Sequence, residues 1–143
     1  MKRIAAAVFA LVFALGATAA ARAADITDSD RAAIQALITD QIHAFQRDDG
    51  AGAYADASPT LQSIFTNPDA FMAMVKNGYA PVYRPQSVTF GDIVDSDAGP
   101  LQKVFVTGPD GKSYLAVYTL EHEPDGTWKI NGCSIVDDDS PSI

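Results

Sequence analysis

Residues 101–136 constrain this chain more than any other stretch. Two similar turns, Gly108-Pro109-Asp110-Gly111 and Glu123-Pro124-Asp125-Gly126, divide the stretch into three runs. In each turn Pro presets φ at the second position, Asp can bond its local backbone, and Gly takes the left-handed conformation that follows. The runs contain Val104-Phe105-Val106, Tyr114-Leu115-Ala116-Val117-Tyr118 and Trp128-Lys129-Ile130. β-Branched and aromatic residues at this density, bounded by turns, predict three strands of an antiparallel meander.

A three-residue loop with a bulge at Gly also predicts the register. Val106 should face Tyr114 and Phe105 should face Leu115. In the second hairpin His122 should face Trp128, Glu121 face Lys129, Leu120 face Ile130 and Tyr118 face Gly132. Glu121 opposite Lys129 is a favourable cross-strand pair. Because side chains alternate between faces, Val104, Val106, Ala116, Tyr118, Ile130 and Val136 fall on a core face, with Tyr114, Leu120 and Trp128. The other face carries Phe105, Leu115, Val117, Cys133 and Ile135 at one end. Thr119, Glu121, Lys129 and Asn131 make its other end polar. Such a half-apolar face calls for a partner element, a ligand or another subunit. A homodimer burying Phe105, Val117 and Ile135 is one solution.

At the other terminus, Met1-Lys2-Arg3 precedes an apolar run over 4–15 and small residues ending Ala21-Arg22-Ala23. A basic start, an apolar core and an Ala-x-Ala site predict a signal peptide over 1–23 and a periplasmic or secreted protein. An uncleaved anchor fits less well, because the apolar core is Ala-rich and a processing site follows it. Removing Lys2, Arg3 and Arg22 takes the net charge from −8 to −11, with 7 basic residues against 18 acidic ones. That balance argues against nucleic acid and anionic membranes as partners, and no membrane association is expected after cleavage. Residues 24–136 are enough for a single core, and 137–143 read as an acidic flexible tail.

Helices are expected between these ends. Thr27 or Asp28 can cap a helix in which Ile34, Leu37, Ile38, Ile42 and Phe45 recur at helical spacing, closing at Asp48-Asp49-Gly50 with Gly50 past its end. Residues 51–58 predict a short helix stopped before Pro59, and 60–65 another helical turn. Asn67-Pro68-Asp69 opens a further helix that Asn77-Gly78 closes. Residues 79–85 read as extended, with Pro81 and Pro85 barring helix. Residues 86–94 predict a strand with a bulge at Gly91, and 95–100 a loop into the meander.

That order, a long N-terminal helix, short helices, then a curved antiparallel sheet of four or more strands, resembles the nuclear transport factor 2-like superfamily. Finer phrases are Asp48-Asp49-Gly50 with Ala53-Tyr54, Ser58-Pro59, Ile64-Phe65, Phe71 with Met74-Val75, Tyr79-Ala80-Pro81-Val82-Tyr83, and Trp128-Lys129-Ile130-Asn131-Gly132-Cys133. Together these are similar to a family of small exported bacterial proteins known only as a domain of unknown function. The resemblance implies a cone-shaped α+β fold with a pocket between helices and sheet. The superfamily holds ketosteroid isomerase-like enzymes, epoxide hydrolases, polyketide cyclases and non-catalytic members, so fold does not choose among functions.

Candidate residues follow from chemistry. Tyrosine pairs an apolar body with a polar tip, which suits a small-molecule pocket, so Tyr54, Tyr79, Tyr83 and Tyr118, with Phe71, are the candidate ligand-binding residues. Tyr114 belongs to the same group of rings. The plainer role for any one ring is core filling. Acid–base chemistry needs a carboxylate in an apolar setting. Asp56, among small and aromatic residues, is one candidate, and His43, beside the apolar stripe of the first helix, is the other. Their plainer roles are a helix cap and a boundary histidine. No metal site is expected: Asp92, Asp95 and Asp97 lack the Glu a calcium loop places twelve positions along, and one Cys with two distant His residues does not ligate zinc. No cofactor motif is present. Cys133, the single cysteine, is expected as a small buried side chain.

Three functions remain. A non-catalytic exported module would bind a small apolar molecule or a protein partner, an acid–base enzyme would act on a small cyclic substrate, and a structural homodimer would pair sheets. A carboxylate or His aimed into a closed pocket would favour the enzyme. A pocket of apolar groups and Tyr hydroxyls would favour binding.

Overall fold

A computed structural model of the chain describes residues 25–138. The expected signal peptide, and residues 139–143 of the expected tail, lie outside them. The fold is α+β. Five helices, α1 (Asp28–Gln46), α2 (Gly50–Ala55), α3 (Pro59–Ile64), α4 (Pro68–Gly78) and α5 (Ala80–Tyr83), precede four strands. The strands, β1 (Ser87–Ser96), β2 (Gly99–Thr107), β3 (Ser113–His122) and β4 (Trp128–Asp137), form one open antiparallel sheet in chain order. Among the described residues no helix is long and apolar enough to cross a membrane.

Helix α1 starts in a capping box. Thr27 Oγ1 accepts the Asp30 N–H, and the Asp30 carboxylate accepts the Thr27 N–H. Ile34, Ile38, Ile42 and Phe45 form its buried face, which lies over β4. The helix ends earlier than expected. Arg47 is the C-cap and Asp48, not Gly50, takes the positive φ of 53°. Asp tolerates this conformation better than most residues, and its neighbours hold it there. Arg84 Nη1 donates to Phe45 O at 2.5 Å, Arg84 Nη2 pairs with Asp48 at 3.0 Å, and the Tyr83 hydroxyl donates to the same carboxylate. Gly50 is thereby freed to open α2, capped by Asp49 Oδ1.

Two short elements replace expected irregular structure. Residues 80–83 form the helical turn α5, because Pro81 sits in its first turn, where no N–H is needed. The expected loop over 95–100 is instead a tight hairpin. Asp95 pairs with Pro100 and Ser96 with Gly99, whose φ of 95° only glycine adopts readily. The bulge at Gly91 is present, between Phe90 and Ile93, and the buried Gln102 donates Nε2 to Gly91 O at 2.9 Å.

The first hairpin has the expected register, with Val106 opposite Tyr114 and Phe105 opposite Leu115. The second follows it as far as Leu120 opposite Ile130, then departs. Thr119 faces Gly132 and Tyr118 faces Cys133, so Asn131 is an extra residue in β4. The edge of β4 explains the bulge. Asp56 O accepts the Ile130 N–H at 2.9 Å, the Ser58 N–H donates to Ile130 O at 2.8 Å, and Ser58 Oγ donates to Asn131 Oδ1 at 2.7 Å. The 56–58 segment thus bonds along β4 as a short parallel bridge. Gly132 permits the crossing, since a Cβ there would lie 2.8 Å from Thr119 Oγ1.

One inserted residue reverses every side chain beyond it. Cys133 and Ile135, expected on the outer face, pack against the core. Val136, expected in the core, is 51% exposed beside Leu115. Of the three residues expected at a sheet-face dimer, Phe105 and Val117 keep the outer face and Ile135 leaves it. β4 also continues through Asp137, and the Asp138 N–H donates to Ser113 O, so pairing extends past residue 136.

Candidate functional site

A pocket of about 240 Å³ lies between the helices and the sheet. Gln41 and Phe45 of α1, Phe71 and Val75 of α4, Tyr118 of β3 and Ile130 of β4 form its buried floor. Leu61 and Phe65 near α3, Met74, Tyr79, Gly132 and Cys133 are part-exposed and make its rim. The Phe71 ring is the hub of the aromatic wall, with centroids 6.3 Å from Phe45, 5.8 Å from Tyr54 and 6.0 Å from Phe65. Tilted and edge-on contacts of this kind hold rings in place beyond what area burial alone provides.

Two polar side chains enter the floor. Gln41 is anchored through its Nε2, which donates to Ala53 O at 3.1 Å. Tyr118 is 1% exposed, and its Oη has no hydrogen-bond partner among the described residues. Cys133 Sγ, across the strand pair, interacts with the phenol as a weak sulfur acceptor outside ordinary hydrogen-bond geometry. Burial, with Cys133 beside it, holds the phenol well above its ordinary pKa. The residue Cys133 is part-exposed, yet its sulfur faces the wall, and burial pushes the thiol up to about 12. Both groups are therefore neutral, and Cys133 is no nucleophile.

Of the candidate ligand-binding residues, Phe71, Tyr79 and Tyr118 line this pocket. Tyr54 and Tyr83 do not. The Tyr54 hydroxyl donates to Phe65 O at 2.6 Å and fastens the end of α3 beneath the rim, while Tyr83 belongs to the Asp48–Arg84 corner. Residue types alone concealed Gln41 and Cys133. The usable signal for Cys133 was Gly132 inside a strand pattern, a recognised mark of a bulge.

The acid–base candidates also lie outside the pocket lining. His43 is exposed in the last turn of α1. Asp56 is the C-cap of α2, half-buried, with a buried Oδ2 that has no hydrogen-bond partner among the described residues. Burial, then the neighbouring Asp40 carboxylate, raises its pKa to about 7, with Lys129 pulling the other way. Because the folded pKa lies above the ordinary 3.8, the fold favours protonated Asp56. This contribution to stability is complete below the unfolded pKa and is lost as pH rises through about 7. Asp56→Asn should therefore gain on the wild type by about 1 kcal/mol at pH 8, a figure discounted for solvent screening of a half-exposed group. The gain should vanish near pH 4. Urea midpoints of both proteins at pH 4, 6 and 8 measure it, and a constant difference would contradict the assignment.

The family model described as "Domain of unknown function (DUF4864)" matches residues 27–143. No curated protein and no solved structure matches the chain.

Proposed function

The chain belongs to this family of unknown function, and we propose that it is a non-catalytic exported module that takes a small apolar molecule into the pocket between its helices and sheet. One observation carries the reading: among the described residues the pocket is lined mainly by aromatic and aliphatic side chains, with Gln41 and Cys133, and by no Asp, Glu, His, Lys or Arg. Sites of this type bind by apolar burial and orient by a few polar groups. The helices over one sheet face, with a pocket between, are what a nuclear transport factor 2-like cone would present. Export to the periplasm or medium rests on the basic, apolar and Ala-x-Ala pattern of the first 23 residues.

The enzyme reading loses support because Asp56 and His43 stand apart from the pocket. A homodimer remains a second reading on the outer sheet face, where Phe105 is 39% and Val136 51% exposed beside Val117. Sedimentation showing only monomer at high concentration would remove it.

Naphthalene tests the main reading. An engineered apolar cavity of roughly 150 Å³ accepts benzene, so about 240 Å³ suits about ten carbon atoms. Titration followed by protein NMR should move the resonances of Phe71, Val75 and Ile130 together and leave those of His43 in place. No shift up to the solubility limit would refute the pocket as a ligand site.

A further inference from the structure

We infer that a clasp between Tyr54 and Gln62, outside the pocket lining, sets the largest ligand the pocket accepts by holding α3 against it. This deepens the proposed pocket function and rests on it. The pocket has one weakly seated wall. Helices α1 and α4 and strands β3 and β4 each give it buried side chains. Helix α3 gives it Leu61, with Phe65 just past the helix end, and both are part-exposed. Among the described helices α3 alone buries no residue, and its Ile64 is 63% exposed.

A helix of six residues has marginal stability by itself. Few apolar contacts hold α3 down, so its position depends on polar ties. Its start is pinned to β4 through Ser58, which bonds to Ile130 O and Asn131 Oδ1. Its end is held by a reciprocal pair. The Tyr54 hydroxyl donates to Phe65 O at 2.6 Å and to Gln62 O at 3.0 Å, carbonyls that a helix end leaves without an intrahelical partner. Gln62 Nε2 donates back to Tyr54 O at 2.9 Å and to Ala57 O at 3.3 Å. The Tyr54 ring is itself packed on Phe71 of the buried floor, at 5.8 Å between centroids. The clasp thus ties the loose wall to a rigid one, and its loss releases the end that carries Phe65.

Ligand size is where this shows. A pocket of about 240 Å³ takes a bicyclic hydrocarbon, and a tricyclic one needs a wall to give way. Buried walls are close-packed and resist displacement. Helix α3 yields instead, and the cost is the clasp's hydrogen bonds. A ligand that fits without moving α3 leaves the clasp intact and is indifferent to it.

Naphthalene and phenanthrene test this, since phenanthrene adds one fused ring and both report binding by their own fluorescence as protein is titrated in. Tyr54→Phe keeps the ring and removes the donor. Affinity for phenanthrene relative to naphthalene should then rise about fivefold over wild type, equal to about 1 kcal/mol. Gln62→Ala should move the ratio the same way, and it carries the test should Tyr54→Phe not fold. Tyr114→Phe removes a tyrosine hydroxyl bond to Asp110 in the first hairpin, outside the pocket lining, and should leave the ratio unchanged. An unchanged ratio in either folded clasp variant, or an equal rise in Tyr114→Phe, overturns the inference and leaves the pocket reading standing. Phenanthrene that binds neither wild type nor clasp variants has the same consequence. If naphthalene fails to bind the wild type, the pocket reading falls and the inference with it.

Discussion

Phe45→Ala should lower the folding free energy by about 3–5 kcal/mol, among the larger losses expected from a single truncation in this core. Phe45 is 2% exposed, packs against Phe71 and Tyr83 at 6.3 and 6.1 Å between centroids, and also forms part of the pocket floor. Its removal merges the space it filled with the existing pocket, so the surroundings cannot collapse to recover the lost contacts. A domain of this size has about 5–15 kcal/mol in all. Melting followed by circular dichroism should fall by about 10–20 °C. A loss below about 1 kcal/mol would mean that α1 does not seat this ring between α4 and α5.

Ser58→Ala should cost about 2–4 kcal/mol, although it removes a single oxygen atom. Ser58 is fully buried and joins two structures with one oxygen. Its Oγ accepts the Leu61 N–H as the cap of α3, at 3.2 Å, and donates to Asn131 Oδ1 at the β4 bulge, at 2.7 Å. Losing a cap costs about 0.5–2 kcal/mol, and stranding a buried partner about 1–3 kcal/mol. Asn131→Ala, which spares the cap, should cost only about 1 kcal/mol by urea denaturation. Equal costs for the two variants would show that the cap contributes nothing. Because α3 supplies the pocket rim, Ser58→Ala should also speed release of naphthalene, read by NMR line shape.

Much of this architecture was legible because it is local. The Pro-Asp-Gly turns dictated the first hairpin register, since turn type and alternation act over a few residues. Thr27, offered with Asp28 as the cap, announced the start of α1, as did Asn67 and Pro68 that of α4. Three of the five candidate pocket residues, Phe71, Tyr79 and Tyr118, line the pocket by virtue of being aromatic in elements that frame it. Aromatic character did not distinguish them from Tyr54 and Tyr83. Those two hydroxyls are spent on Phe65 O and on Asp48, partners separated from them by 11 and 35 positions.

By itself the sequence determined the α+β class, the turns, the caps and which stretches carry the core, because each follows from short-range sterics and periodicity. Only the tertiary structure decided the second half of β4. There the 56–58 segment, more than 70 positions away, bonds to Ile130 and Asn131 and coincides with an extra residue in the strand. That single residue turned Cys133 toward Tyr118 and Val136 toward solvent, and so shaped both the pocket wall and the outer face. Strand alternation carries no memory of an insertion, so the side a residue faces depends on every pairing between it and the turn.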